Sequence, residues 1–403
     1  MDDYMKKMRV LYFVGGNDDK YGAQILATEI VSLMQRRHEV EYCVVTAKEG
    51  RTNRKCSELG IENYTSCYKY STYYPLQNPC LNVIKRTVKR IMIDFSDKKA
   101  IYKIEKEIDV SSFDIIHTNI NRDMIGGYFS RKYDIPHVWH LQEMYDSHFG
   151  LKTVRKKQLE WMNNNCDQYI AISNTVANDW ITHGLMPSKM NTIYNGIQLD
   201  NYKQRQISAK DSQAIRFVMA GVVCKEKGQE QLIDAIASLP MSIQHRIEID
   251  FYGGGKEEYL NYLIEKVSKY KLDKQISFMG YRDNISEVLY KYDVGVNCSK
   301  GEGFGLSTVE FMASRLCVLV SNCGANTELI HDQQNGLVFE YGCPKSLADC
   351  IEELYLDPEK RNRLMRNAYN SSLKYSISEC VDGIYQVYER LNSKRKRKNE
   401  AII

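Results

Sequence analysis

Residues 302–310 read Glu-Gly-Phe-Gly-Leu-Ser-Thr-Val-Glu and come shortly after the apolar run Val294-Gly295-Val296. We interpret the run as the end of a buried strand and the stretch from Leu306 to about Ser314 as a helix, joined by a Gly-x-Gly turn. A helix that begins at such a turn presents free backbone N–H groups and the positive end of its dipole to an anion. Two carboxylates, eight positions apart, bracket this turn. The pattern fits a diphosphate flanked by a sugar and a ribose.

Short apolar runs alternate with helix-length stretches on both sides of this segment. They are 10–14, 40–45, 115–116, 138–139, 169–172, 217–220, 247–251, 276–279, 294–296, 318–320 and 337–339. Runs this short and rich in Val and Ile are typical of parallel sheets covered by helices on both faces. We therefore predict an α/β fold with two doubly wound, Rossmann-like domains that face each other across a cleft. Ligands in such sheets bind at the carboxyl ends of the strands.

We predict the domain boundary from one polar stretch that interrupts the alternation of apolar runs and helix-length stretches. Residues 199–213 break the alternation, so we place the linker there, between an N-terminal domain, 1–200, and a C-terminal domain, 201–375. Residues 376–403 are expected to form a C-terminal helix that returns to the N-terminal domain, followed by the basic tail 394–398. A charge run of this kind is usually a solvated chain end.

Length, charge and cysteine content argue against several classes of protein. The chain has 403 residues, enough for two cores, and a net charge of +4 that does not require a nucleic-acid partner. Its 12 cysteines lack paired spacing, which indicates reduced thiols and no disulfide framework or zinc site. Neither a signal-peptide pattern nor a run of the ~20 apolar residues needed to span a bilayer is visible. We expect a cytoplasmic protein, with peripheral attachment to the inner face of the membrane left open.

The Glu302-to-Glu310 spacing resembles the signature of the retaining family-four glycosyltransferases, which have the GT-B fold. Other segments resemble further motifs of that family in the same order. They lie at 10–16, 21–23, 114–117, 171–173, 194–197, 220–228, 251–255, 278–280, 328–330 and 335–338. The resemblance implies an acceptor-binding N-terminal domain and a C-terminal domain that binds a UDP- or GDP-sugar as donor substrate.

The resemblance also implies which residues contact the donor. Glu310 would bind the ribose hydroxyls, Glu302 the donor sugar, and Lys227 the diphosphate as it leaves. The remaining donor-binding candidates are Gly15, Gly16, Gly22, Gly221, Gly253, Gly303, Phe304, Gly305 and Leu306. The alternatives are a capping role for Glu310 and solvated side chains for Glu302 and Lys227.

Glycines 15, 16 and 22 fit a Rossmann dinucleotide fingerprint poorly, because their spacing is wrong for G-x-G-x-x-G. A dinucleotide oxidoreductase is therefore disfavoured. We interpret this loop as one that closes on the phosphate from the acceptor domain.

Two histidines are candidates for catalysis in the first half of the chain. His117 and His140 each follow a strand-like run, so both are expected at strand ends facing the cleft. Either could orient the acceptor hydroxyl or the donor sugar, and either could instead be structural.

Two positions depart from the family pattern. Val222 stands where the family usually has arginine, and Asn119 stands where it has a second histidine. The diphosphate would have one cation fewer, and the acceptor side one imidazole fewer.

Residues 81–95 form an amphipathic pattern. Its apolar face comprises Val83, Ile84, Thr87, Val88, Ile91, Met92 and Phe95. Its basic residues are Lys85, Arg86, Lys89 and Arg90. Such a helix suits an anionic membrane surface, and the alternative is that its apolar side packs on the sheet.

These observations predict a retaining glycosyltransferase that moves a sugar from a nucleotide diphosphate sugar to a hydroxyl acceptor. A glycan or a lipid-linked acceptor, in polysaccharide or glycolipid biosynthesis, is expected. No Asp-x-Asp motif calls for a metal, and no further cofactor is expected. The alternatives are an inactive partner protein of the same fold, favoured by Val222 and Asn119, and a nucleotide-sugar epimerase.

Overall fold

The structure, a computed structural model, forms two compact units. It describes residues 7–15, 22–120, 122–145, 150–205 and 214–400. The first unit comprises Met1–Tyr194 and Ile377–Ile403, and the second comprises Asn195–Ser376. Gly16 and the later part of the predicted linker, 206–213, lie outside the described residues.

The first unit is built on a parallel sheet. Its described strands are β1 (Arg9–Val14), β2 (Glu41–Thr46), β3 (Glu62–Thr65), β4 (Thr72–Tyr73), β5 (Ile115–Asn119), β6 (His137–Leu141), β7 (Lys152–Thr153), β8 (Gln168–Ala171) and β9 (Met190–Thr192). Seven form one sheet in the order β3-β2-β1-β5-β6-β8-β9, and β4 pairs with β7 in an antiparallel ribbon. The strand order reverses between β1 and β5, which makes their carboxyl ends the switch point of this sheet.

Helices cover both faces of this first sheet. They are α1 (Gly22–His38), α2 (Arg51–Glu58), α3 (Pro79–Glu107), α4 (Ile125–Tyr133), α5 (Gln158–Asn164) and α6 (Asn174–Thr182). Alternate residues of β1 enter two separate cores. Val10, Tyr12 and Val14 pack with α1 and with the last helix of the chain, whereas Leu11 and Phe13 pack with α3 and α4. Alternation of this kind follows from the two-residue period of a strand.

The second unit repeats the same plan. Its described strands are β10 (Ile215–Ala220), β11 (Ile247–Tyr252), β12 (Ile276–Gly280), β13 (Val294–Asn297), β14 (Cys317–Ser321) and β15 (Leu337–Phe339). They form a parallel sheet in the order β12-β11-β10-β13-β14-β15. Its helices are α7 (Gln229–Ser238), α8 (Met241–Gln244), α9 (Glu257–Lys269), α10 (Ser286–Leu289), α11 (Leu306–Ala313), α12 (Asn326–Leu329), α13 (Pro344–Leu356) and α14 (Pro358–Ser372). The strand order reverses between β10 and β13, so the loops after these two strands meet at the switch point.

The predicted fold class is confirmed, and each predicted apolar run coincides with a strand, with bounds that differ by at most three residues. Strands β3, β4, β7 and β9 were missed. They are two to four residues long and carry polar sequences such as Glu-Asn-Tyr-Thr. Strands β3 and β9 lie at the edges of the sheet, where one side of the strand has no neighbour to exclude water.

The first part of the predicted linker is not a linker. Arg205 forms an ion pair with Asp293, and Gln204 donates a hydrogen bond of 2.6 Å to the hydroxyl of Tyr369, all within the second unit. Its polar composition reflects these contacts with the second unit and does not mark a solvated connection.

The C-terminal helix, α15 (Ile377–Glu400), belongs to the first unit. Asp382 accepts hydrogen bonds from Arg37 at 2.7 Å and pairs with His38 at 2.6 Å on α1. The predicted basic tail is the last turns of this helix. Arg395 donates to the backbone carbonyl of Phe113, and Lys398 pairs with Asp134 at 2.9 Å. These residues therefore help to attach α15 to the first unit, where the charge run alone indicated a solvated end.

Candidate active site

The turn between β13 and α11 is held by buried side chains. Gly305 precedes α11 with a φ of 98°, a left-handed conformation that favours glycine. The amide of Asn297, at the end of β13, donates to the hydroxyl of Thr308 at 3.0 Å. Thr308 in turn lies 3.4 Å from the amide oxygen of Asn326. This network fixes the start of α11, whose first backbone N–H groups have no partner within the helix.

Phe304 and Leu306 differ in what they could offer a ligand. The Phe304 ring is buried and packs edge-on against Tyr375, with ring centroids 5.8 Å apart. Its contribution to a ligand would therefore come from its backbone. Leu306, the first residue of α11, is partly exposed, as is Gly303 in the turn before it.

Glu302 is paired with Lys227. The Lys227 ammonium lies 2.8 Å from Oε2 of Glu302, and both side chains are mostly buried. The Glu302 backbone is seated on Gly324, where a Cβ atom would lie 2.4 Å from the Glu302 nitrogen and carbonyl oxygen. Only glycine fits there, so the loop that carries the carboxylate is closely held.

The pair keeps Glu302 ionised. Burial alone would raise the pKa of Glu302, but the Lys227 ammonium and the neighbouring Ser299 and Asn297 side chains outweigh it and lower the pKa. A carboxylate in this setting carries its charge at neutral pH and can accept hydrogen bonds from sugar hydroxyls.

Lys227 is positioned by the loop after β10. A short 3-10 turn, Lys225–Lys227, ends at Gly228, whose φ is 75° and where a Cβ atom would lie 2.4 Å from the carbonyl oxygen of Cys298. The backbone N–H of Lys300 donates to the carbonyl of Glu226 at 2.8 Å. The loops after β10 and β13 are therefore joined directly, which brings Lys227 and Glu302 together although 75 residues separate them.

Gly221 and Gly253 allow the loops after β10 and β11 to approach closely. Both have a positive φ, 149° and 146°, and a Cβ atom on Gly253 would lie only 1.8 Å from the Gly221 carbonyl oxygen. Val222, next to Gly221, is exposed. The position that usually carries arginine in the family is thus open to solvent.

Glu310 is the fifth residue of α11, and its Oε1 accepts a hydrogen bond of 2.8 Å from the Tyr202 hydroxyl. Tyr202 was not among the predicted site residues, because it lies 108 residues from Glu310 in a segment interpreted as a linker. Its only sequence signal is an aromatic residue in an otherwise polar stretch.

In the first unit, the expectation for His117 is wrong. His117 is the third residue of β5 rather than its end, and it is fully buried. Its Nδ1 lies 2.6 Å from the hydroxyl of Tyr388 on α15, and its ring packs on Tyr12. Burial, with smaller effects of the neighbouring histidines, lowers its pKa, so the ring is neutral. Its Nε2 has no hydrogen-bond partner among the described residues. The burial and the contacts of Nδ1 and the ring favour the structural role that the sequence left open.

His140 lies closer to its predicted place. It is the fourth residue of β6, paired in register with Asn119 at the end of β5. Burial lowers its pKa to about 3, and among the described residues neither ring nitrogen has a hydrogen-bond partner. Asn119 is buried as well, and its Oδ1 accepts a hydrogen bond of 2.9 Å from Gln142.

The glycine loop is described only at its two ends. Gly15 follows β1, and a Cβ atom there would lie 2.6 Å from the ring of Tyr70. Gly22 is the first residue of α1, whereas Gly16 is outside the described residues. Across the described ranges of both units, no three His, Cys, Asp or Glu side chains lie together as metal ligands.

Comparison with protein families identifies the class. A family model described as Glycosyltransferase Family 4 matches residues 22–201, and a second, described as Glycosyl transferases group 1, matches residues 200–371. The chain belongs to the family-four glycosyltransferases. Its two units are the two halves of their GT-B fold.

Individual relatives match over most of their length. An uncharacterized glycosyltransferase of Methanocaldococcus jannaschii is 26% identical over 300 residues, which cover 72% of this chain and 80% of that protein. The UDP-Gal:α-D-GlcNAc-diphosphoundecaprenol α-1,3-galactosyltransferase of Escherichia coli is 21% identical over 398 residues, which cover 91% and 96%. Glycosyltransferase activity in glycan or glycolipid biosynthesis follows from this kinship.

Solved structures agree with the fold. HepE of Anabaena, determined in complex with UDP, superposes with a TM-score of 0.76 at 20% identity, over 95% of this chain and 100% of that one. HepE has also been determined in complex with UDP-glucose. Within the described part of this glycosyltransferase, no helix is long and apolar enough to cross a membrane.

Proposed function

We propose that this glycosyltransferase transfers a sugar from a UDP- or GDP-sugar to a hydroxyl group of a glycan or lipid-linked acceptor, with retention of the anomeric configuration. One observation carries the proposal. The Lys227–Glu302 ion pair lies at the switch point of the second sheet, beside the start of α11. An ammonium, a carboxylate and a helix N-terminus in one place match a sugar diphosphate, which combines anionic oxygens with hydroxyl donors.

Each group has a separate role in donor binding. Glu310 binds the two ribose hydroxyls with its carboxylate, and the Tyr202 hydroxyl, at 2.8 Å, orients that carboxylate. The diphosphate lies at the first turn of α11, where the backbone N–H groups are available. Glu302 accepts hydrogen bonds from the donor sugar. Lys227 has three N–H donors, so it can keep its contact with Glu302 while it donates to a phosphate oxygen.

The reaction replaces one bond at the anomeric carbon of the sugar. The bond from this carbon to the phosphate oxygen breaks, and the bond to the acceptor oxygen forms on the same face. The departing phosphate oxygen takes the acceptor proton, so neither a protein nucleophile nor an added cofactor is needed. Lys227 stabilises the charge that develops on the phosphate, a contribution that preorganised groups make in the transition state.

Kinship supports the donor and the acceptor class. HepE was solved with UDP and with UDP-glucose, and the name of the E. coli relative gives a UDP-sugar donor and a diphosphoundecaprenol acceptor. In the first unit, His140 is the candidate to orient the acceptor hydroxyl, because it pairs in register with Asn119 at the end of β5 and, among the described residues, neither of its ring nitrogens has a hydrogen-bond partner. His117 is not part of this proposal.

A second candidate function is that of an inactive partner protein. Val222 favours it, because an exposed valine replaces a phosphate-binding arginine. The intact Lys227–Glu302 pair opposes it.

The test is release of UDP or GDP from a panel of nucleotide sugars, with and without hydroxyl acceptors, in buffer and in EDTA. We expect one donor to be consumed only with an acceptor, with or without EDTA, and to give a product of the same anomeric configuration by NMR. Binding of a nucleotide sugar without turnover on any acceptor supports the inactive partner. A changed sugar without acceptor indicates the epimerase, and loss of activity in EDTA contradicts the metal-free mechanism.

A further inference from the structure

Helix α3 presents its apolar side to solvent. Its buried residues are Ile93, Ala100 and Ile104, which lie on one face. On the opposite face, the side chains at positions 81, 84, 88, 91, 92 and 95 recur at intervals of one, three and four, as on one side of a helix. We call this set the outer stripe, comprising Leu81, Ile84, Val88, Ile91, Met92 and Phe95. The alternative given for residues 81–95, that their apolar side packs on the sheet, is therefore wrong for the outer stripe.

The exposure of the outer stripe is large at every position. It runs from 49% for Met92 to 74% for Phe95. Single exposed apolar residues are common on protein surfaces, but a contiguous row of large ones marks an interaction surface. Tyr74 and Leu76, in the segment just before the helix, are exposed as well and extend the same kind of surface.

Contacts on the buried face of α3, opposite the outer stripe, fix the rotation of the helix about its axis. Ile93 packs in a small buried cluster with Tyr73 and Val154, next to the ribbon of β4 and β7. Arg155 pairs with Asp94 of the helix, and the later residues Ala100 and Ile104 enter the core of the first unit. Rotation that buried the outer stripe would expose these contacts, so the stripe faces outward as a result of the packing of the helix.

The charged residues of α3 indicate which kind of partner its outer stripe would contact. The first half of α3 carries Lys85 and Lys89 beside the outer stripe, and Arg86 and Arg90 toward the side of Ile93. Asp94 pairs with both Arg90 and Arg155. A second copy of the same face would bring like charges together, whereas anionic lipid headgroups attract basic side chains next to an inserted apolar row. Lysine and arginine stems can also lie along the apolar region while their charges reach the headgroups.

We propose that the outer stripe of α3 docks on an anionic lipid bilayer, with the helix lying in the plane of the membrane surface and Lys85 and Lys89, which flank the stripe, against the headgroups. The contact would hold the first unit where a lipid-linked acceptor is presented, so this part of the inference rests on the proposed function. The docking itself depends only on the stripe and its charges.

The probe is a vesicle of phosphatidylcholine with a large fraction of phosphatidylglycerol, compared with phosphatidylcholine alone, in a flotation assay with the full chain. We expect the wild type to bind the anionic vesicles, and binding to fall as salt is raised. The variant Ile84→Ser/Ile91→Ser/Phe95→Ser should bind about tenfold or more weakly, because it removes the row that inserts. Val83→Ser is the matched control. Val83 was predicted to share the apolar face, but the spacing of the buried residues places it off the stripe. It is equally exposed, so its loss should change little.

Activity in solution separates the two proposals. The stripe lies outside the donor site, so the triple variant should retain binding of UDP or GDP and turnover with a soluble acceptor. The docking proposal is overturned if the wild type does not bind anionic vesicles, or if the triple variant binds them as well as the wild type. Either result leaves the proposed glycosyltransferase function unchanged. The docking proposal is also overturned by a wild-type dimer in sedimentation velocity that the triple variant converts to monomer, because a second copy would then cover the stripe.

Discussion

The two sheets of this glycosyltransferase have the same plan, but the polar residues predicted at their switch points lie in different surroundings. In the second unit, Lys227 and Glu302 form a charged pair that remains partly open to solvent. In the first unit, His117 is completely buried between Tyr12 and Tyr388. The difference follows from side-chain placement. Lys227 and Glu302 lie in loops beyond the strand ends, whereas His117 lies within a strand whose face α15 covers.

The difference between the two units shows when a sequence motif can predict the position of a functional side chain. A glycine-bounded loop after a parallel strand places its polar residues at the ligand edge of the sheet. A polar residue inside a strand can face either side, and the helix that packs there decides its role. We therefore expect substitutions in the second unit to change catalysis and binding, and substitution of His117 to change stability.

The largest effect is expected for Lys227→Ala. Loss of a group that stabilises transition-state charge should lower kcat by about 10²–10³-fold, with a smaller rise in KM for the donor. Lys225→Ala, an exposed lysine in the same turn, is the control and should leave both constants near wild type. Unchanged turnover in a folded Lys227→Ala protein would show that this ammonium does not act on the leaving group.

His117→Ala tests the prediction that the buried histidine of the first unit contributes to stability and not to nucleotide binding. The change leaves a cavity and removes the 2.6 Å contact with the Tyr388 hydroxyl, so the free energy of unfolding should fall by roughly 2–3 kcal/mol. Affinity for UDP or GDP should be unchanged when measured at a temperature where the variant is folded. His245→Ala, an exposed histidine of the second unit, should cost little stability. A stable variant with impaired binding would restore His117 to the active site.

Glu302→Gln probes the ion pair through pH. The pKa of Glu302 is lowered in the folded protein, so its stabilising charge is fully present above its unfolded pKa, about 4.3, and is lost as pH falls through the folded value. The stability difference between wild type and variant, about 1–2 kcal/mol near pH 7, should therefore shrink below pH ~4. Chemical unfolding at several pH values measures it. A difference that stays constant with pH would mean that the pair does not stabilise the fold.

The smallest effect is expected for Val222→Arg. The valine side chain is exposed, so a guanidinium fits without a clash and can reach the phosphates. Binding of UDP or GDP should tighten by about 1 kcal/mol, roughly fivefold. Weaker binding by a folded variant would show that the loop after β10 does not approach the diphosphate, and would strengthen the case for an inactive partner.

Much of the fold could be predicted from sequence because buried parallel strands are apolar on both faces. The turn before α11 could be predicted because its geometry is set within a few residues, by Gly305 and the helix that follows. The contact of Tyr202 with Glu310 and that of His117 with Tyr388 could not, because 108 and 271 residues separate the partners. The exposure of the outer stripe of α3 could not be predicted from sequence either. Periodicity identifies an apolar face of a helix but does not determine what that face packs against.

Titration calorimetry of UDP and of GDP into the wild type and Glu310→Ala tests the donor site most directly. In the proposed donor complex, the Glu310 carboxylate binds the ribose before any chemistry occurs. Its loss should therefore weaken binding of the preferred nucleotide by about 1.5–3 kcal/mol, roughly ten- to a hundredfold. Tyr202→Phe, which removes the hydroxyl that donates the 2.8 Å hydrogen bond to that carboxylate, should have a smaller effect in the same direction. Equal affinities for the wild type and a folded Glu310→Ala protein would contradict the assignment of this edge of the second sheet as the nucleotide site.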